Sequence, residues 1–285
     1  ASYPGSNPGR RIYYSNKILC QDSNVHKNCL FLANFLLRKK LIPAGAYFFS
    51  LKHKNLINTL LLTAFMKKRN TILVICAHSD DEILGPGGTL AKYAEEGLDI
   101  KTIIFSLGEL SHPHFQEDII TKTRVREANR ADKIIGGKGV KFLNVMEKDV
   151  KESKKQDKAK KEIERIIQKY KPLKIFTHAA DDAHPVHKIV NKIVLEAYDS
   201  LRLKTEIYTF DIWNLFKWKK EKHPKLVVDI SKTFNKKTTA LKCFKSQFGF
   251  TGFLNYYPYF AITIKGLFQG WKNDMKLAEV FYRIR

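Results

Sequence analysis

The chain has 285 residues, of which 44% are hydrophobic, so it can build one large α/β domain or two small ones and is not globally disordered. Its formal net charge of +23 raises nucleic acid, anionic membranes and anionic small molecules as partners. The chain contains no run of 18 apolar residues, so the sequence does not predict a membrane-spanning helix. The four cysteines form no CxxC pair, which predicts a reducing, cytoplasmic location.

Residues 1–65 differ in composition from the rest of the chain, because they hold nine basic residues and one acid without a clear hydrophobic period. The first methionine is Met66, and the basic residues after it lead directly into an apolar segment. Residues 4–9, PGSNPG, also match one reading frame of a transfer-RNA T-arm. We hypothesise that residues 1–65 are upstream sequence translated in error and that the native domain, residues 66–285, starts at Met66. The alternatives are a membrane-surface arm and a small helical extension.

From residue 71 onward, apolar runs alternate with helical patterns. The apolar runs predict strands at 71–77, 101–106, 140–145, 173–177, 206–211 and 226–230. The stretches between and after them predict helices at 88–96, 118–135, 153–170, 185–200 and 232–247. This alternation predicts an α/β, three-layer Rossmann-like fold with a mostly parallel sheet and helices on both faces.

Two polar clusters each follow a predicted strand. Residues 77–82, AHSDDE, come after the first strand, and residues 178–187, HAADDAHPVH, come after the strand at 173–177. Because the carboxyl ends of parallel strands open on one edge of a sheet, we expect the two clusters to meet there. Histidine with carboxylate is the ligand chemistry of a hydrolytic zinc site. A lone histidine is usually structural, but two such clusters are better explained by a bound metal.

These motifs resemble the PIG-L/LmbE family of zinc-dependent N-acetylglucosaminyl deacetylases. Five segments match the family's motifs in order: residues 78–82 (HSDDE), 87–88 (GG), 124–127 (RVRE), 182–187 (DAHPVH) and the late Lys…Ala-Leu…Ser-Gln element at 237–247. The resemblance covers roughly residues 66–247. It departs from the family at Ser79, where the family has proline, and at Val186, where the family has aspartate.

The resemblance implies one Zn²⁺ per chain, with Fe²⁺ as the alternative metal, held by His78, Asp81 and His187. Three protein ligands leave a fourth position open, as in catalytic rather than structural zinc sites. It also implies that Asp80 is the general base and that His184 stabilises the oxyanion formed at the amide carbonyl.

The remaining implied roles concern the substrate and the support of the site. Arg124 would hold a sugar hydroxyl or phosphate oxygen through its fork of donors. Glu82 and Asp182 would hold the site residues in place without binding the metal themselves. The serine at 79 should merely loosen its turn, whereas the valine at 186 could lower activity or alter specificity, because it removes a carboxylate beside the last ligand.

The resemblance predicts a metal-dependent amide hydrolase that removes the N-acetyl group from an N-acetylglucosamine-type amino sugar or its conjugate. The basic composition mildly favours an anionic conjugate, such as a sugar nucleotide or a lipid-linked sugar, and leaves a membrane surface open as a partner. One alternative is a family member that binds a sugar without hydrolysing it. Another is a basic nucleic-acid-binding protein, which is weakened because the lysine-rich run at 151–161 contains no aromatic residue. The oligomeric state stays open.

Two other features bear on the function: a glycine-rich turn, which argues against a dinucleotide-binding enzyme, and a set of aromatic residues with two possible roles. The glycine-rich turn at 85–88 lacks the GxGxxG spacing of dinucleotide-binding enzymes, and the acids before it would repel a pyrophosphate. The aromatic tail at 248–264 has two interpretations: its side chains cover the core or a lid, or they stack on the faces of a sugar. The same two interpretations hold for Trp213 and Trp218.

Overall fold

A computed structural model of the chain describes residues 70–106, 117–213, 223–248 and 257–285. The hypothesis about residues 1–65 lies outside these ranges and stays a prediction. Trp218 and part of the aromatic tail, residues 249–256, also lie outside them. Within the described ranges, no helix combines the length and apolarity that crossing a bilayer requires.

The fold is a seven-stranded sheet with helices packed on its two faces. The strands are β1 Thr71–Cys76, β2 Asp99–Ser106, β3 Val140–Val145, β4 Lys174–His178, β5 Glu206–Phe210, β6 Lys225–Asp229 and β7 Ala278–Arg283. The α-helices are α1 Asp81–Leu84, α2 Gly87–Glu95, α3 Glu117–Ile134, α4 Ser153–Tyr170, α5 Pro185–Ser200, α6 Phe234–Leu241, α7 Lys245–Phe248 and α8 Tyr257–Trp271. A short 3₁₀ turn, Glu147–Asp149, follows β3.

The strand order is β3-β2-β1-β4-β5-β7-β6. Strand β1 pairs in parallel with β2 on one side and with β4 on the other, so the chain order reverses between β1 and β4. Open α/β sheets bind their ligands outside the carboxyl ends of the strands at such a switch point. Both polar clusters follow these two strands, which places them at the edge where a ligand site is expected.

The predicted fold class is confirmed, and the sheet is mostly parallel. Strand β7, which the sequence did not predict, runs antiparallel to both of its neighbours, β5 and β6. The predicted helix at 232–247 is in fact two helices, α6 and α7, separated by a turn at residues 242–244. Phe244, the last residue of this turn, is fully buried in the core.

Two apolar clusters, one on each face of the sheet, form the core. Alternate residues of β1 divide between them, because side chains of a strand point to opposite faces. Ile72 and Val74 belong to one cluster, while Leu73 and Ile75 belong to the other. All residues of β1 are buried, as expected for a central strand of a parallel sheet covered on both faces.

A buried ion pair joins the turn between α1 and α2 to the far end of the chain. The Lys237 ammonium donates to the carbonyl oxygens of Leu84 and Gly85, each at 2.9 Å, and to the Glu279 carboxylate at 2.6 Å. The same carboxylate accepts the backbone N–H groups of Gly88 and Thr89 at the start of α2. Residues from α6 and β7 therefore fix the turn that follows the first polar cluster.

Replacing Lys237 by methionine is expected to lower the free energy of unfolding by about 3–5 kcal/mol, because it leaves the Glu279 carboxylate buried without its counter-charge. The matched control is Lys236→Met, which removes the exposed pair between Lys236 and Glu95 and should change stability by less than about 1 kcal/mol. Urea denaturation of both variants measures the difference. Equal destabilisation by the two substitutions would contradict this account of the buried pair.

Candidate active site

The first polar cluster forms a tight turn between β1 and α1. Asp80, which precedes the helix, has a φ of 149° and a ψ of −25°, a conformation that few residues other than glycine adopt. Strained backbone of this kind costs roughly 1–3 kcal/mol and clusters at functional sites. The Glu82 carboxylate accepts the Asp80 N–H at 3.0 Å, and the Asp80 carbonyl accepts the N–H of Ile83 at 2.9 Å. Glu82 is fully buried, so the turn is held from inside the protein.

The late Ser-Gln element supports the same turn from outside. The Gln247 side-chain amide donates to the carbonyl oxygen of Ser79 and, at 3.3 Å, to its hydroxyl. Ser246 in turn donates its N–H and hydroxyl to the Glu127 carboxylate at 2.9 and 2.6 Å. Ser79, where the family has proline, therefore gains a hydrogen-bond acceptor for Gln247 that a proline side chain could not offer.

The second cluster is arranged by the start of α5. Pro185 occupies the first turn of this helix, and His184 precedes it as the N-cap residue with an extended backbone. Proline is favoured at this position because its fixed φ suits a helix and its missing N–H is not needed there. His187 lies three residues beyond the N-cap, so His184 and His187 are neighbours across one helical turn, with ring centroids 4.6 Å apart.

Asp182 holds this helix start and the strand next to it. One of its carboxylate oxygens accepts the His184 N–H at 3.0 Å and lies 3.0 Å from His187 Nδ1. The other accepts the Ile212 N–H, just after β5, at 2.9 Å. Burial raises the pKa of Asp182, but the His187 contact and the N–H donors outweigh it and bring the pKa to about 2. Asp182 is therefore a carboxylate that orients His187 through its ring nitrogen.

The two clusters meet at Asp81. Its Oδ2 atom lies 3.5 Å from His78 Nδ1, 3.5 Å from His187 Nε2 and 3.2 Å from His178 Nε2. The rings of His178 and His187 are stacked with centroids 3.8 Å apart, and the His78 and His184 rings are 5.1 Å apart. One carboxylate and four imidazoles therefore face one another at the carboxyl ends of β1 and β4.

Burial and crowding shift the pKa values of the acids strongly. Burial and the neighbouring Asp81 raise the pKa of Asp80 to about 8, against the opposing effects of His78 and Arg124. Burial and Asp80 likewise raise the pKa of Glu82. Burial also raises the pKa of Asp81, but its contacts with His187 and His178 bring it well below the usual value. A bound cation would relieve this concentration of buried acids.

The donor atoms fit a metal ion. Two groups offer one ligand atom per residue within 4.8 Å of one another: His78 with His184 and His187, and Asp81 with His178 and His187. The predicted ligands His78 and Asp81 therefore fall in different groups, while His187 belongs to both. Among the described residues, buried His78 Nε2 and His184 Nδ1 make no hydrogen bond, as expected of nitrogens suited to a metal or a substrate.

His178 is a site residue to which the sequence assigned no role. Its Nε2 atom accepts the Ala77 N–H at 2.9 Å, and Asn191 donates to its carbonyl oxygen at 2.7 Å. Burial lowers the pKa of His178 to about 4, so the ring is neutral near pH 7. Because its Nε2 lone pair already accepts a backbone N–H, we favour a supporting role over metal ligation. Its place in the HAADDAHPVH run was the only sequence signal for it.

Two further residues border the site. Arg124, on α3, is buried, and its charge acts to lower the pKa of Asp80. This places the predicted substrate-binding residue beside the predicted base. Glu147, on the 3₁₀ turn after β3, has a carboxylate oxygen 3.8 Å from His78 Nε2. The sequence did not predict Glu147, because no motif includes it and only the third strand end brings it near.

The Asp182–His187 contact yields a testable expectation. Replacing Asp182 by asparagine should weaken metal binding by about 10–100-fold, because outer partners of ligating histidines have effects of this size. Zinc affinity can be measured by competition with a chromophoric chelator. The control is Asp157→Asn on the exposed side of α4, which should leave the affinity unchanged. An unaltered affinity in Asp182→Asn would show that its carboxylate does not act on the ligand.

Comparison with known proteins agrees with the fold. The family model PIG-L, described as GlcNAc-PI de-N-acetylase, matches residues 73–198, a range that contains both polar clusters. A probable N-acetyl-alpha-D-glucosaminyl L-malate deacetylase 2 from Bacillus cereus is 27% identical over 184 residues, which cover 62% of this chain and 83% of the relative.

Two further matches extend the comparison. A mycothiol S-conjugate amidase from Streptomyces coelicolor is 26% identical over 150 residues. These residues cover 45% of this chain and 51% of that relative. The structure of an N,N'-diacetylchitobiose deacetylase from Pyrococcus horikoshii superimposes with a TM-score of 0.61 at 19% identity, covering 81% of this chain and 92% of that one. At this identity the superposition supports the fold alone. Together with the five ordered motifs, the family-model match and the Bacillus relative show that the chain is similar to the PIG-L family of deacetylases.

Proposed function

We propose that this protein is a zinc-dependent hydrolase that removes the N-acetyl group from an N-acetylglucosamine-type amino sugar or its conjugate. The observation that carries the proposal is the convergence of His78 and His187 on the Asp81 carboxylate beside a buried Asp80, at the switch point of the sheet. The names of the Bacillus and Streptomyces relatives, a glucosaminyl malate deacetylase and an amidase, support amide cleavage on this kind of compound.

In this proposal His78, Asp81 and His187 hold the metal, with Fe²⁺ as the alternative to Zn²⁺. Nitrogen and carboxylate oxygen donors suit both ions. When bound, such a metal acts as a Lewis acid and lowers the pKa of its water to about 7. Asp182 would keep the His187 ring in the orientation that directs its Nε2 atom towards Asp81.

Asp80 is the proposed general base. Its side chain is buried next to Asp81 and near Arg124, where burial holds its pKa at about 8 in the metal-free site. A catalytic pKa near the working pH is the value at which a group both accepts and returns protons efficiently. Asp80 would remove a proton from the attacking water and then deliver it to the departing amine as the C–N bond breaks. Glu82 would keep the Asp80 backbone in its strained conformation.

His184 and Arg124 are the proposed substrate-facing residues. The His184 side chain is only partly buried, at the N-cap of α5, where an N–H of its ring could stabilise the negative oxygen of the attacked carbonyl. Arg124 would bind a hydroxyl or phosphate oxygen of the sugar conjugate. The net charge of +23 supports an anionic conjugate, such as a sugar nucleotide or a lipid-linked sugar, over a neutral one.

The test is acetate release by the full chain from a panel that contains free N-acetylglucosamine, its malate and inositol glycosides, a sugar nucleotide and a lipid-linked sugar. The protein should contain about one equivalent of zinc by metal analysis, and chelation should abolish acetate release. Activity should return when zinc or iron(II) is restored. Acetate release that survives complete removal of metal would refute the proposal.

A second candidate function, sugar binding without hydrolysis, is favoured by one observation. Val186 packs against an apolar cluster of the core and supplies no carboxylate beside the site, where the family has aspartate. His184 Nδ1 makes no hydrogen bond among the described residues. No described carboxylate therefore supports this nitrogen, and loss of such outer support is a feature that a weakened catalyst would show.

The substitution Val186→Asp separates the two candidates. If the missing carboxylate limits catalysis, Val186→Asp should raise kcat/KM by about tenfold or more, since outer-shell carboxylates have effects of that order. Val186→Asn is the matched control, because it has nearly the same shape without the charge. A wild-type protein that turns over the substrate well and gains nothing from Val186→Asp would eliminate the binding-only candidate.

A further inference from the structure

Helix α8 exposes an apolar surface on the side that faces away from the core. Phe260, Leu267 and Trp271 are exposed by 61%, 44% and 75%. Together with the partly buried Ile264 they recur at intervals of four, three and four residues, which is one face of a helix. We call these four residues the apolar stripe. Contiguous exposed apolar surfaces on folded proteins usually mark a place of interaction.

The stripe cannot turn inward, because the opposite face of α8 is already committed to the core. Ile262 is buried there, and a side chain added at Gly270 would lie 2.6 Å from the Met275 carbonyl oxygen. A Cβ at Gly266 would likewise lie 3.1 Å from Leu277. The helix is therefore locked by close backbone approach, and its apolar stripe is a fixed part of the protein surface.

The charge around the stripe indicates what it contacts. Helix α8 contains no acidic residue, and its end is followed by the exposed lysines Lys272 and Lys276, with the exposed Asp274 between them. The exposed Lys272 places its ammonium 4.1 Å from the centre of the Phe268 ring, a cation–π contact that holds this charge beside the apolar surface. Aromatic and aliphatic residues bordered by lysines match the boundary between lipid tails and anionic head groups.

We propose that the apolar stripe is a docking surface for an anionic phospholipid bilayer. The stripe would enter the head-group region, and Lys272 and Lys276, with the net charge of +23, would attract acidic lipids. The helix is also tied to the edge of the sheet that carries the site. Lys265 donates to the Asp211 carbonyl oxygen at 2.6 Å, and the next residue, Ile212, donates to Asp182. The inference does not depend on the proposed hydrolysis, because binding to lipid is measured without turnover.

The first test is co-sedimentation of the full chain with vesicles of phosphatidylcholine alone or mixed with phosphatidylglycerol. We expect binding to the mixed vesicles, weaker binding to the neutral ones, and loss of binding when salt is raised several-fold above about 0.1 M. The variant Phe260→Ser/Leu267→Ser/Trp271→Ser should bind the mixed vesicles at least about tenfold more weakly, because it removes three apolar side chains from the contact.

The matched control is Ile119→Ser/Leu173→Ser, which removes exposed apolar side chains, 53% and 40% exposed, from other parts of the surface. It should bind like the wild type. Equal weakening in both variants, or no binding of the wild type, would overturn the proposal. A wild-type dimer in solution that the α8 variant dissociates would assign the stripe to a second copy of the chain and also overturn it.

A fluorescence measurement reports on the stripe directly. The chain has three tryptophans, so Trp213→Phe/Trp218→Phe leaves Trp271 as the only one. Its emission should shift to the blue when anionic vesicles are added, because its ring leaves water. An emission maximum that does not move on binding would overturn the assignment of α8. A blue-shifted maximum already present without vesicles would overturn it too, since another part of the chain would then cover the helix.

Discussion

Replacing Asp80 with asparagine is expected to lower kcat/KM for acetate release by about 10³-fold while zinc remains bound, because general base catalysis contributes roughly 10²–10⁴-fold. Asparagine keeps the shape of the side chain but cannot take a proton at neutral pH. The backbone N–H of residue 80 still donates to the Glu82 carboxylate in this variant, so the turn should persist. Initial rates on the best substrate of the panel and zinc content of the purified variant measure the two effects separately.

Two controls make the Asp80 result specific. Glu82→Gln alters the buried carboxylate that accepts the Asp80 N–H, so it should reduce both stability and activity. Asp157→Asn, on the exposed side of α4, should change neither. Asp80→Asn alone is expected to lose activity with an unchanged urea midpoint. Full activity in Asp80→Asn would remove Asp80 from the role of base, whatever the behaviour of the other two variants.

The parts of the fold that could be predicted are those that short-range patterns of apolar residues in the sequence determine. The apolar runs of β1 and β4 are long enough to identify buried parallel strands, and parallel strands must open on a common edge. This is why the sequence alone predicts that residues as distant as Asp81 and His187 meet. Strand β7 could not be predicted in the same way, because its sequence, AEVFYR, mixes charged with apolar residues and its pairing partners β5 and β6 are distant in the chain.

Helix α8 escaped prediction for a different reason. It is rich in aromatic and β-branched residues and contains Gly266 and Gly270, all of which lower helix propensity. Its glycines are required by the close approach of residues 275–278, which is a tertiary constraint that a local pattern does not reveal. The aromatic tail was expected to cover the core or stack on sugars. Its described part is a helix with one face in the core and one face exposed.

The residues missed at the site lack a distinctive local signal. Glu147 lies on a short turn after the third strand, and its approach to His78 depends on the pairing of β2 with β3. The role of Gln247 in holding Ser79 depends on the break between α6 and α7. His178 was visible in the sequence, but only its contact with the Ala77 N–H distinguishes a supporting histidine from a ligand.

The second large effect is expected for His187→Ala, which should weaken zinc binding by more than about 100-fold and abolish acetate release. Outer-shell changes alone cost about 10–100-fold in affinity, so removal of a ligand should cost more. His187 is the informative position because it belongs to both groups of potential ligands. Zinc affinity by chelator competition, with acetate release at saturating zinc, measures the two effects.

Single alanine variants of the other members then separate the proposed ligand set, His78, Asp81 and His187, from the two groups. If the metal is held by His78, Asp81 and His187, His78→Ala should lose zinc as His187→Ala does, while His184→Ala should retain zinc and lose activity. His178→Ala should retain most of its zinc affinity, because its Nε2 atom serves the Ala77 N–H rather than an ion. Loss of zinc in His178→Ala with retention in His78→Ala would move the ion to the Asp81, His178 and His187 group.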